Sequence, residues 1–209
     1  LRALKPSPTG GRGPRELLMT GLHSTLARFF TNPITILVIY VLGLYGLYLT
    51  NVFGSLMSSH IGHIVMTTHF LVAGILLAYV AIGIDPKPAP LPFWGRMMLV
   101  LAAIILHTFF AVVMMSSTTL IGATWYSQVR PPWLTDPVRD SMLGGQIAWG
   151  VGEIPTLIMM IIIAVQWARS DERESKRRDR FTNDHGDHEL DDYNAYLNKL
   201  NELNQQAKK

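Results

Sequence analysis

The sequence predicts an all-α fold: a polytopic membrane bundle of four transmembrane helices, followed by a short cytoplasmic helix. Three observations carry that prediction. Of the 209 residues, 49% are hydrophobic and only 16% are charged. There is no Asp, Glu, Lys or Arg across 29–84 or across 97–129, and between Asp140 and Arg169 the single one is Glu153. The remaining charges gather between and beyond these runs, as they do in the loops and tails that flank membrane helices. A soluble domain rarely leaves such stretches without polar cover. Apolar runs of about 20 residues match the hydrocarbon thickness of a bilayer.

The elements follow in order. Residues 1–31 form a cytoplasmic or interfacial segment. Within it Leu17, Leu18, Leu22, Leu26, Phe29 and Phe30 oppose Arg15, His23 and Arg28. That pattern predicts one amphipathic helix over 14–30 lying in the interface, or else a cytoplasmic loop that follows an earlier span. The four-helix bundle occupies 32–168. Its first span is expected over 33–52, opened by Asn32, which can cap, and Pro33, which suits the first helical position. The others are expected over 59–84, 97–119 and 143–167. At 1.5 Å per residue each reaches the ~30 Å of a hydrocarbon core. Gly144, Gly145, Gly150, Gly152 and Pro155 in the last span predict close helix approach and a bend, with Gln146 and Glu153 on one face. Residues 169–209 form a charged cytoplasmic tail. It holds a short helix over 187–205, capped by Asp187, with Leu190, Tyr193, Leu197, Leu200 and Leu203 on one side.

Lys and Arg set the orientation. They crowd before the first span (Arg2, Lys5, Arg12, Arg15, Arg28) and after the last (Arg169, Arg173, Lys176, Arg177, Arg178, Arg180), and Lys87 and Arg96 lie in the second connector. Both termini and the proline-rich 86–92 connector are therefore expected in the cytoplasm. The short turn near 54–58 and the aromatic loop with Trp125, Tyr126 and Trp133 are expected outside. That loop is either a docking surface or a belt anchored in headgroups.

Other classes fall away. The net charge is +3, with no basic stripe interleaved with aromatics, so nucleic acid is not an expected partner. There are no cysteines, which excludes disulfides and thiolate metal sites. The chain opens on Leu without a signal-peptide pattern, and further sequence upstream is expected. No nucleophile–base pair with a supporting motif is present, and no enzyme is predicted.

Chemistry concentrates in one stripe: Met57, His60, His63, Met66 and His69 sit three apart. Imidazole and thioether groups suit Cu(I), and polar groups at membrane depth mark functional sites. Each step of three rotates about −60° on a helix, so any three in a row share a face about 120° wide. His60, His63 and Met66 make the most useful trio. His69 lies deeper and turned toward another neighbour. Met114, Met115 and Met142 could complete the ligand set. The other reading is polar packing between helices with methionine as filler.

A second feature is a polar midplane pair. His107 and Glu153 each lie roughly 15 Å from the point where their span enters the membrane. A buried carboxylate must be paired or protonated, and His107 is its expected partner. The pair could relay protons, orient metal ligands or tie two helices together. His185 and His188 in the tail are read as a solvated loop before a helix, with metal binding as the alternative.

The motifs in series resemble a known family. "SSHIGHIVMTTHFLVAGILLAYVAIGIDP", "FFAVVMMSSTTLIG", "LGGQIAWGVGEIP" and "DHELDDYNAYLNKLNEL", with the opening "LRALKPSPTGGRGPRELL" and "FTNPI", are similar to the CtaG-type cytochrome c oxidase assembly factors. They resemble most the branch often fused to a CopD-like copper-resistance domain. The resemblance implies a multi-pass protein of the bacterial plasma membrane, with upstream transmembrane helices carrying another histidine–methionine motif. It implies assembly of a haem-copper oxidase by binding Cu(I) transiently and delivering it to the catalytic subunit, with oxidase subunits as partners. His60, His63, Met66, His69 and Glu153 are the positions it carries over. Two alternatives stand beside it: a haem cytochrome ligated by His69 and His107, and a copper-resistance or copper-transport membrane protein.

Overall fold

The computed structural model describes residues 13–83, 88, 90–129, 131–185 and 188–206, and among them every regular element is helical. Two compact units divide the chain, Leu1–Ala164 and Val165–Lys209.

The amphipathic stretch is two helices rather than the expected one: α1 Pro14–Leu22 and α2 Thr25–Phe30. Ser24 causes the break, because its hydroxyl accepts a hydrogen bond from Ala27 N at 3.1 Å and so starts a new helix. Leu17, Leu18, Leu26 and Phe29 remain exposed, as an interfacial face would.

Asn32 caps α3 (Pro33–Val41), its Oδ1 accepting from Ile34 N at 2.9 Å. The helix then loosens into a π turn, Leu42–Gly46. This apolar helix, Pro33–Gly46, is shorter than a membrane span: its 14 residues cover roughly 21 Å. Of the span expected over 33–52, helical turns run without a break over 33–48, the π turn included. Thr50 ends it by turning its hydroxyl onto Gly46 O at 2.6 Å while accepting from Val52 N at 3.3 Å. The chain restarts as α4, Val52–Met57.

Three helices are long and apolar enough to cross a membrane: α5 His60–Ile82, α6 Phe93–Ser116, and α8, whose qualifying stretch is Pro137–Asn183. Ser59 caps α5 by accepting from Gly62 N at 2.9 Å, and Gly83, at φ 68°, closes it in the left-handed conformation that favours glycine. A short helix, α7 (Ala123–Gln128), precedes α8 (Pro137–His185). Asp136 caps α8 through Val138 N and Arg139 N. The helix passes through Pro155 and overruns the expected 143–167 at both ends.

The core of the first unit gathers at one end of the bundle. Ile36 of α3, Leu77, Val80 and Ala81 of α5, Leu99, Val100 and Ala103 of α6, and Met159 and Ile163 of α8 pack together. Arg96 caps that end: it donates from Nη1 to Ile82 O at 3.0 Å and lies 4.2 Å over the Phe93 ring. A cation on the terminal carbonyls of α5 is favourable. Outward faces are apolar, with Ile61, Leu71, Phe109, Ile147 and Val151 exposed as lipid-facing side chains are.

The second unit holds α9, His188–Gln206, close to the helix expected over 187–205. The charged end of α8 is stitched by Lys176–Glu172 and Arg178–Glu174 pairs one turn apart. The expected Asp187 cap, the Lys87 connector position and Arg130 lie outside the described residues, as do the His185 and His188 side chains.

Candidate functional site

The stripe divides among three surroundings. Met57 is the last residue of α4, whereas His60 begins α5; the expected five-residue series on one helix is corrected to four. The break is tight: a Cβ at Gly62 would fall 2.1 Å from Leu56 O, so the chain must turn there without a side chain. His60 and His63 are exposed and lie side by side in a shallow groove with Ile64, Thr67 and Thr68. Thr67 turns its hydroxyl back onto His63 O at 2.9 Å, which leaves the imidazole free of it. Met66 is half-buried and does not line that groove.

His69 faces the other way. Nine residues from His60, it has rotated half a turn and meets the π turn. A Cβ at Gly43 would lie 2.5 Å from its Nε2, so only glycine admits the ring. The ring edge packs on Phe70, centroids 5.5 Å apart, and the buried Nε2 has no hydrogen-bond partner.

His107 is seated in the same manner. A Cβ at Gly152 would come within 2.3 Å of its Cε1, and its buried Nδ1 is unpartnered. The expected direct bond between His107 and Glu153 is not made. Glu153 Oε1 instead accepts from Thr108 Oγ1 at 2.8 Å and from Trp149 Nε1. Two donors satisfy the carboxylate, one from α6 and one a turn back on α8. The Tyr45 hydroxyl donates to Leu106 O at 2.7 Å, so the π turn contacts both histidine neighbourhoods.

Met114 and Met115 sit where α8 crosses α6, with a Cβ at Gly145 only 2.9 Å from Met114 Cβ. Met114 also lines a 380 Å³ cavity with His107, Phe110, Tyr126 and Asp140. On the α8 side this cavity is walled by Gly144, Gly145 and Ala148, and neither Gln146 nor Glu153 lines it. His69 lines a different cavity. Among the described residues no three His, Asp or Glu side chains converge as a metal site would need.

A protein family described as cytochrome c oxidase caa3 assembly factor matches residues 1–170. The chain belongs to this family. Uncharacterized proteins of Mycobacterium bovis and Mycobacterium tuberculosis are each 41% identical to it over 206 residues, 97% of this chain and 31% of theirs. One from Mycobacterium leprae is 38% identical over 205 residues, again 97% of this chain and 31% of its own length. The chain thus spans about a third of the length of the curated relatives it matches. No solved structure matches it. The three apolar helices are those of a membrane protein.

Thr108, Trp149, Gly43 and Asp140 were not singled out by sequence reasoning. Trp149 could have been, since it precedes Glu153 by one helical turn on the same face. Gly43 carries no local signal of the imidazole it admits.

Proposed function

We propose that the protein is an integral membrane assembly factor that binds Cu(I) and passes it to the catalytic subunit of cytochrome c oxidase, with His60 and His63 as its first ligands. One observation carries the reading. Two imidazoles one turn apart share a groove on the exposed face of a helix that is otherwise apolar and of membrane length. Polar groups on such a helix are expensive unless they serve a site, and imidazole is a good Cu(I) donor. Two ligands on one helix leave the coordination open, which suits an ion held for transfer. Met66 is on the adjoining part of α5, three residues beyond His63. His69 takes a supporting place against Gly43.

Cu(I) competition titration of the purified protein and of His60→Ala/His63→Ala tests the reading. Loss of an outer-shell partner alone weakens metal sites 10–100-fold, so removal of both imidazoles should weaken binding at least about 100-fold. Equal affinity in the two proteins would remove the site.

A further inference from the structure

The 380 Å³ cavity has a shape and a polarity that the copper reading does not use. It runs beside α8 from Pro137 to Ala148, a rise of roughly 16 Å over 11 residues. That volume over that length makes a half-open slot wide enough for a hydrocarbon chain. The space exists because α8 presents Gly144, Gly145 and Ala148 there, and a Cβ at Gly144 would meet nothing within 4 Å. The facing wall is largely aromatic, with His107 set into it: Tyr48 stacks on Phe53 at 4.9 Å and packs against Phe110 at 5.4 Å. Half-open, largely apolar space of this kind takes amphiphilic ligands.

Polar groups gather at one end. Tyr126, Asp140 and Ser141 line the cavity at the start of α8. Among the described residues no cation pairs with Asp140. Burial first, and then the charge of Asp140, push the Tyr126 phenol up, so at neutral pH it remains protonated. One carboxylate at the end of a half-open, largely apolar slot is complementary to an amphiphile with a cationic or donor head.

We propose that this slot binds a single-chain amphiphile whose head carries a positive charge or a hydrogen-bond donor, with the chain between α6 and α8 and the head at Asp140. The proposal is independent of the copper site, since it uses no residue of the α5 histidine face.

The test is photo-crosslinking with a diazirine-bearing dodecylamine. The full chain is held in a neutral-headgroup detergent at pH 7, and labelled peptides are mapped by mass spectrometry. Labelling is expected on the α6 segment around Phe110 and Met114 and on α8 around Gly144 and Ala148. Unlabelled dodecylamine should compete about tenfold or more better than dodecanoate, because a charge-assisted bond to Asp140 is at stake. Asp140→Asn should erase that preference while labelling persists. Gly144→Leu, which fills open space, should abolish labelling, whereas Gly150→Leu, equally open and outside the slot, should not. Labelling spread over lipid-facing residues such as Ile147 and Val151, or unchanged in Gly144→Leu, would overturn the proposal. So would preference for the carboxylate.

Discussion

Glu153 shows how one carboxylate is made tolerable at membrane depth. A carboxyl group in hydrocarbon needs hydrogen-bond partners, and Thr108 and Trp149 supply them. The Thr108 bond joins α6 to α8, so it is a tie between helices as well as a satisfied acceptor. Thr108→Val keeps the shape and removes the donor. It is expected to lower stability by about 1–2 kcal/mol, with Thr108→Ser close to wild type, in thermal unfolding of the detergent-solubilised protein. If the valine variant melts with wild type, the bond contributes nothing. The site was only partly legible at this scale. His60 and His63 stand out in the sequence because imidazole is rare in an apolar run. Their separation from His69 follows from helical rotation alone. The partner of Glu153 was not legible: residue type favours His107, but the choice depends on which α6 side chain faces α8. A threonine in a membrane helix usually bonds its own backbone and so gives no long-range signal.

Helices end for local reasons that hydropathy does not see. The charge gaps mark α5, α6 and the membrane stretch of α8, because lipid exposure forbids charges over a fixed length. The same gap runs on through Thr50, Asn51, Ser58 and Ser59, where the Thr50 and Ser59 hydroxyls end and start helices without adding a charge. This is why the first span was expected to run to 52, although its helical turns stop at 48. At the other end, hydropathy marks where α8 leaves apolar surroundings and not where it stops. Glu, Lys and Arg are good helix formers, and pairs such as Lys176–Glu172 extend it. The join between α5 and α6 depends on Arg96, which holds the last carbonyls of α5 from the first turn of α6. Arg96→Gln loses the charge and the fork geometry. It should cost about 1.5–3 kcal/mol and lower the melting temperature, whereas Arg178→Gln, in an exposed pair, should leave it nearly unchanged. Equal melting of the two variants would mean that Arg96 does not hold the helices together.

At the scale of the whole molecule, the charge asymmetry makes a topological prediction that can be read chemically. Lys and Arg gather before α3 and along the end of α8, and the bias of such residues toward the cytoplasm sets orientation. The chain has no cysteine, so any introduced thiol reports alone. Ser127→Cys in α7 and Ser55→Cys in α4 lie on exposed polar surface, as does Ser175→Cys beyond the last apolar stretch. In intact cells a membrane-impermeant maleimide should label the first two, and it should reach the third only after the membrane is opened. The same experiment bears on α3. Its Pro33–Gly46 helix is short for a crossing, yet the α2 end and α4 must lie on opposite sides if it spans by thinning the bilayer or by adding the turn at 47–48. Ser24→Cys and Ser55→Cys should then label from opposite sides. Labelling of both from one side would mean that α3 re-enters without crossing, which would reverse the sidedness assigned to every segment that precedes it.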